Sequence, residues 1–348
     1  MPVSDRVVTG GVDTHAEVHV AAAVDHLGGS LGAASFPTTA AGYRDLLSWL
    51  RRYGTIDRIG VEGTGSYGAA LARYLRWEQI TVVEVSCPNR QARRRHGKSD
   101  VVDAIAAARA VLAGDAAAPP KSRDGAVEAL RAVKLVQRSA TKARTVALNQ
   151  LHSLLVTAED GLRAKLRGAS RVETIAICAA FRVRSDDDSV AAMTRLALRE
   201  LALRVRHLDE QLDRCAQRIA RITAQLAPKL LDLKGIGPDV ASTLLITAGD
   251  NPDRMHHEKS FASLCGTSPL QASSGKTTRH CLNRGGDRQA NAALWRVAIV
   301  RMGTDQRTRD YVARRIAEGK NKPEIIRCLK RYIAREVFNT LTGTACRT

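Results

Sequence analysis

Four acidic residues in the first third of the chain sit where carboxylates can do chemistry: Asp13, Glu62, Asp100 and Asp103. Asp13 closes the run VVTGGV, and Glu62 closes IGV just before the glycine-rich turn GTGSYG, so each reads as a strand-end residue. Asp100 and Asp103 open an alanine-rich helical stretch at i and i+3 and share a face. Val101, Ile105, Ala108 and Leu112 form a stripe on a different side, which is expected to pack. Taken singly, a strand-end aspartate is an ordinary turn former and a helix-start acid an ordinary partner of the helix dipole. If one cleft gathers all four, their oxygens suit Mg²⁺. Ions on either side of a phosphate lower the pKa of an attacking hydroxyl and stabilise the leaving oxygen, which is phosphodiester chemistry.

The residues just before Asp100 fit that substrate. RQARRRHGK supplies Arg90, Arg93, Arg94, Arg95 and Lys98 as expected phosphate contacts that deliver a nucleic-acid backbone to the acids. The whole chain shares the bias: 54 Lys and Arg against 35 Asp and Glu give a formal net charge of +19 over 348 residues. Such a surplus calls for a polyanionic partner, nucleic acid first. No apolar run approaches the roughly 18 residues of a membrane span, and MPVSDRVVTG lacks a signal segment, so a cytoplasmic protein with no membrane partner is expected. The cysteines have no paired spacing and are expected to be reduced thiols. Aromatic residues are 4% of the chain, which favours backbone electrostatics over ring stacking.

The elements that must position the acids follow from periodicity. RVVTGGVD, VHVAAAVD and LGAASF read as three consecutive strands, the first ones antiparallel. A helix follows over TTAAGYRDLLSWLRRYG, with Thr38 or Thr39 at its N-cap, then strand DRIGVEG, helix SYGAALARYLRW and strand ITVVEV. Hairpin-linked strands followed by alternating helix and strand predict a ribonuclease H-like α/β domain over residues 1–118. Residues 119–227 predict a helical region in which Leu201, Val205, Leu208, Leu212, Cys215, Ile219, Ile222 and Leu226 trace a coiled-coil seam. Leu130, Val133, Ala140, Ala147, Leu151 and Leu154 form a weaker seam. The two can pair within one chain, or a second protomer can supply the partner.

Residues 228–348 predict a mostly helical third domain. LDLKGIGPDVASTLL resembles a helix-hairpin-helix: the Gly235 and Gly237 turn leads into a helix whose first N–H groups can hold a phosphate without reading sequence. Downstream, Ser273 and Ser274 precede a glycine in a segment carrying Lys276, Arg279, His280, Arg284 and Arg288. By composition this is a phosphate-binding loop, since a serine hydroxyl is a poor nucleophile unless activated.

VEGTGSYG, KSDVVDA, GIGP, SPLQASSGK and LNRGGDRQAN occur in this order, and together they resemble the DEDD transposases of the insertion-sequence family often called "IS one-ten". The likeness spans nearly the whole chain. It implies a RuvC-like N-terminal domain with Asp13, Glu62, Asp100 and Asp103 as a catalytic, Mg²⁺-binding tetrad, and a coiled coil leading to a C-terminal transposase domain. It further implies that Ser274 is the nucleophile of a Ser-Gly motif and forms a phosphoserine link to DNA. The implied partners are donor and target DNA, a structured non-coding bridge RNA that carries the sequence choice by base pairing, and further copies of the chain as a dimer or tetramer. The alternative is a RuvC-like, structure-selective endonuclease that uses metal-activated water and only grips phosphate with the serine loop. A non-catalytic nucleic-acid scaffold is the third possibility.

Overall fold

The structure is a computed structural model and describes residues 6–85, 99–184, 186–251, 255–272, 280–281 and 283–343. The chain forms two compact units, one of Met1–Asp124 with Gly249–His256, the other of Gly125–Ala248 with His257–Thr348.

The first unit is a mixed α/β domain. Strands β1 (Val7–Thr14), β2 (Val18–Val24), β3 (Ser30–Pro37), β4 (Thr55–Glu62) and β5 (Val82–Val85) form one sheet in the order β3-β2-β1-β4-β5. The β1–β2 and β2–β3 pairs are antiparallel, whereas β4 and β5 run parallel to β1. Parallel neighbours need crossovers, which helices α1 (Ala40–Arg51) and α2 (Ala69–Trp77) supply. Thr39 caps α1 by accepting from the Gly42 N–H at 3.1 Å. Both helices cover one face of the sheet through Leu46, Leu50, Leu71 and Leu75, packed on Val8, Val12, Ile59 and Val61.

Helix α3 (Asp100–Leu112) covers the opposite face, and the packing side is rotated from the expected stripe: Ala108 of that stripe is buried and Ile105 half-buried, but Val101 is not. The buried residues are Asp103, Ala104, Ala107, Ala108 and Val111, while Val101 is 41% exposed. Backbone proximity outweighs side-chain size at this contact. A Cβ on Gly11 of β1 would lie 2.2 Å from the Ala104 carbonyl oxygen and 2.3 Å from the Ala108 nitrogen, and one on Gly60 of β4 would meet Val111 at 2.6 Å. Glycines on the strands and alanines on the helix thus let the two backbones nearly touch. That rotates Asp103 towards the sheet.

The second unit is almost wholly helical. Its long helices α4 (Ala126–Thr157) and α7 (Val190–Leu226) pack on each other, with α5 (Asp160–Leu166) and α6 (Arg171–Ala179) closing one end. Ala147 and Leu151 of α4 share a core with Leu198, Ala202 and Val205 of α7. Arg144 and Asp209 form an ion pair across the helices. The partner of the α7 seam is therefore a helix of the same chain, and Val205, Leu208, Cys215 and Ile219 are buried without any second protomer.

The hairpin motif forms as a short helix α8 (Pro228–Leu231), a turn through Gly235 at φ +82°, and α9 (Pro238–Ala248), with Pro238 at the first helical position. The rest comprises α10 (Glu258–Leu264), a small antiparallel ladder of β6 (Leu270–Gln271) and β7 (His280–Cys281), and helices α11 (Arg288–Thr304), α12 (Gln306–Ala317) and α13 (Lys322–Thr342). Among the described residues, no helix is long and apolar enough to cross a membrane.

Asp239, in the first turn of α9, pairs with the Lys134 ammonium of α4, which is only 4% exposed, and with Arg296 at 3.3 Å. Burial pushes Lys134 down from its usual pKa, and Asp239 offsets this only in part. Burial pushes Asp239 up, but Lys134 and Arg296 more than reverse it, so its carboxyl lies below the usual range. The pair is thus costly from the ammonium side and favourable from the carboxylate side. The ammonium side governs what happens when the pair is broken, because that charge has no water to fall back on. Asp239→Asn is expected to cost about 2–3 kcal/mol in urea unfolding at pH 7, below the range for a fully buried pair because Asp239 itself is half exposed. Lys134→Met is expected to be near neutral. With a lowered folded pKa, Asp239 contributes fully above about pH 4 and loses its contribution as pH falls through the folded value, so the wild-type and Asp239→Asn stabilities should converge in acid.

Candidate active site

Two adjacent strand ends define the floor of the site. Val12 of β1 pairs with Val61 of β4, so Asp13 and Glu62 follow at the same step along neighbouring parallel strands. The Thr14 hydroxyl ties the two ends together by donating to the Glu62 carbonyl oxygen at 2.8 Å. Glycine-rich residues 63–68 then turn the chain away into α2; Gly63 adopts φ +67°. In parallel sheets flanked by helices such strand ends open into the crevice where ligands bind.

The third wall is the start of α3, brought against β1 by the Gly11 contact. Asp100 is half exposed at the mouth, while Asp103, one turn deeper, is 4% exposed. Between Asp13 and Asp100 lies a residue missed in the sequence reading, His15. Its Nε2 is 3.2 Å from Asp13 Oδ2 and 3.4 Å from Asp100 Oδ2. The ligand atoms of Asp13, His15 and Asp100 all lie within 4.8 Å of one another, a grouping able to hold a metal ion. The signal for His15 was the spacing Asp13-x-His15, since residues two apart at a strand end point the same way.

Electrostatics marks the same place. Burial raises the Asp13 carboxyl above its ordinary pKa, and the negative charges of Asp103 and Asp100 raise it further, against the lowering effect of His15. Carboxylates crowded this closely are stabilised by a cation, and the donors present, carboxylate oxygens with one imidazole nitrogen, fit a divalent metal. Of the four acids singled out from sequence, the structure brings Asp13 and Asp100 into one ligand group. Asp103 lies within electrostatic reach of Asp13, and Glu62 occupies the neighbouring strand end outside the tight trio.

The other expected site residues fall in three places. Arg90, Arg93, Arg94, Arg95 and Lys98 lie outside the described residues, as do Ser273, Ser274, Lys276 and Arg279. Gly235 and Gly237 form the helical hairpin turn, which α11 holds through the Arg301 guanidinium donating to the Lys234 carbonyl oxygen at 2.7 Å. Arg284 and Arg288 are exposed around the start of α11. The motif LNRGGDRQAN also has an architectural part: Asp287 caps α11, and Asn291 donates to the Cys265 and Gly266 carbonyl oxygens at 3.0 and 2.9 Å.

The chain matches two family descriptions. Residues 10–158, which include Asp13, Glu62, Asp100 and Asp103, match the IS110-type DEDD description "Transposase", and residues 227–313 match "Transposase IS116/IS110/IS902 family". A stretch of 121 residues is 35% identical to the "Insertion element IS110 uncharacterized 43.6 kDa protein" of Streptomyces coelicolor (strain ATCC BAA-471 / A3(2) / M145), covering 33% of this chain and 29% of that one. A matching pair of transposase descriptions in the expected order, the first centred on an acidic cluster that can hold metal, makes the conclusion plain: the chain belongs to the IS110 family of DEDD transposases.

Proposed function

We propose that this protein is a DNA recombinase that cuts and rejoins insertion-element ends, using the Asp13, Glu62, Asp100 and Asp103 site together with a nucleophilic Ser274. The observation that carries this is the convergence of Asp13, His15 and Asp100, with Asp103 behind them, at the carboxyl end of β1. The strand order β3-β2-β1-β4-β5, with only β2 antiparallel to its neighbours, supports a ribonuclease H-like, RuvC-like framework for that site.

Asp13, Asp100 and His15 would hold a divalent ion, with Asp103 and Glu62 flanking it; the carboxylates suit Mg²⁺, and the imidazole nitrogen also admits Mn²⁺. When bound there, a divalent ion would supply Lewis-acid stabilisation of negative charge on a phosphate. The protein's own groups do the rest: Asp103 adds negative charge within electrostatic reach of Asp13, and burial keeps most water from Asp13. In the covalent step the Ser274 oxygen forms a bond to phosphorus and gives up its proton, while the bond from phosphorus to a deoxyribose oxygen breaks and that oxygen takes up a proton. The basic segment 90–98, Lys276, Arg279, Arg284 and Arg288 would contact DNA backbone, and the Gly235–Gly237 hairpin would hold a phosphate.

A division of labour among residues 1–118, 119–227 and 228–348 fits this scheme, with acids and serine on different parts of the chain. A dimer or tetramer would let one protomer's acids work with another's serine. Sequence choice would come from a bridge RNA, consistent with the net charge of +19 and the few aromatic residues. The decisive experiment is to incubate the protein, RNA transcribed from the element's flank, and donor DNA with Mg²⁺, then look for a protein-DNA adduct after denaturation. Ser274→Ala is expected to abolish the adduct while DNA binding persists. Strand cleavage to free 5′-phosphates without any adduct would instead identify a water-using nuclease.

A further inference from the structure

The second unit contains a pocket of about 380 Å³ on which the acid site does not draw. Its walls come from Gly266–Pro269, from His280, Cys281 and Asn283, and from helices α12 and α13. Pro269, directly before β6, and both residues of β7 therefore line it, on either side of Ser273 and Ser274 in sequence.

The lining is strongly cationic: Arg315, Lys320, Arg327, Lys330 and Arg331 face one acid, Glu324. Several of these charges are already used. Arg331 pairs with Glu258 at 2.8 Å, Arg315 pairs with Glu318, and Glu324 accepts from the Asn321 N–H at 3.0 Å to cap α13. Lys320, Arg327 and Lys330 form no ion pair among the described residues. Lys330 is the telling one. It is 6% exposed, and its hydrogen bond to Asn291 Oδ1 at 2.8 Å occupies only one of three N–H donors. Burial, then the neighbouring Arg327 charge, lower its pKa from the usual value. A buried ammonium beside a second cation and facing a cavity lacks the counter-charge such groups normally have.

We propose that this pocket is a binding site for a phosphodiester phosphate of DNA, held by Lys330, Arg327 and Lys320. DNA is favoured over RNA because Pro269 on one side and His280 and Cys281 on the other, the lining residues that flank Ser273 and Ser274 in sequence, all belong to the pocket; the identity of the polyanion thus rests on the function proposed above. Lys330 has a second task. Through Asn291 it braces the Cys265 and Gly266 carbonyls, so phosphate binding and the chain leading into β6 share one network.

The test uses the full chain with a fluorescent duplex DNA oligonucleotide, titrated by anisotropy over a range of KCl concentrations. Arg327→Gln and Lys320→Gln, both at half-buried positions, are expected to fold normally, to weaken binding about tenfold each, and to lower the slope of log K against log salt by about 1. Lys330→Met should do the same where it folds. Cys328 lines the pocket, so the DNA should also slow its alkylation by a maleimide, followed peptide by peptide in a mass spectrometer. An unchanged salt slope in both glutamine variants overturns the proposal, and so does Cys328 protection by an RNA hairpin but not by the duplex. Failure of the recombinase function is separately visible, as strand cleavage that survives Asp13→Asn, and it would leave the salt slopes untouched.

Discussion

Asp13→Asn is expected to lower DNA strand cleavage at least about 10³-fold while DNA affinity stays within a factor of two or so, because one side chain anchors the metal group and contributes little to the basic surface. Asp13 is the buried member of the trio with His15 and Asp100, and asparagine keeps its shape while removing the charge that draws a divalent ion. A second readout is independent of turnover: Mn²⁺ binding, followed by electron paramagnetic resonance, should weaken in parallel. Stability should move the opposite way. The folded state holds the Asp13 proton more tightly than the unfolded chain does, so ionisation costs stability as pH rises from about 4 through the raised folded pKa. In chelator at pH 7, Asp13→Asn should therefore melt higher than wild type, and added Mg²⁺ should narrow the gap by stabilising only the wild type. Equal cleavage by the two proteins would remove the acid site from the mechanism.

The second large effect is expected at a residue with no functional group. Gly11→Ala places a methyl 2.2 Å from the Ala104 carbonyl oxygen and 2.3 Å from the Ala108 nitrogen, and both obstacles are helix backbone, which cannot rotate aside. Helix α3 must withdraw by roughly 1 Å, at a cost of about 1–3 kcal/mol for overpacking. Asp100 and Asp103 ride on that helix, and a displacement of this size costs on the order of 10²-fold in a positioned reaction. A thermal melt and a cleavage assay on the same preparation check both. Gly161→Ala, near the start of α5, is the control: no atom lies near its would-be Cβ, so neither property should change by a comparable amount. A Gly11→Ala enzyme with wild-type cleavage would show that α3 does not set the acid geometry.

Much of this arrangement was legible before any coordinates. The short runs of small and apolar residues in VVTGGVD and VHVAAAV mark strands of the first unit, and Thr39 and Pro238 sit at the helix starts that their chemistry favours. The acids were found because each ends an apolar run or opens a helix, positions read from the local pattern. Helix α3 was misread for an equally local reason. Ile105 and Leu112 are the largest apolar residues on that helix, yet the side with Ala104, Ala107 and Ala108 is the most buried because Gly11 and Gly60, far away in sequence, leave room for its backbone.

Charge sign, element types and the candidate acids are properties of short stretches, so residue order alone was enough to establish a basic, mixed α/β and helical chain with carboxylates at strand and helix ends. Which of those carboxylates meet, and that His15 stands between two of them, depends on pairings between residues up to ninety positions apart, as does the choice of α4 as partner for α7. Such contacts arise from the fit of one packed surface to another, here glycine against alanine and a buried lysine against its few acceptors. No periodicity in a single segment encodes that fit.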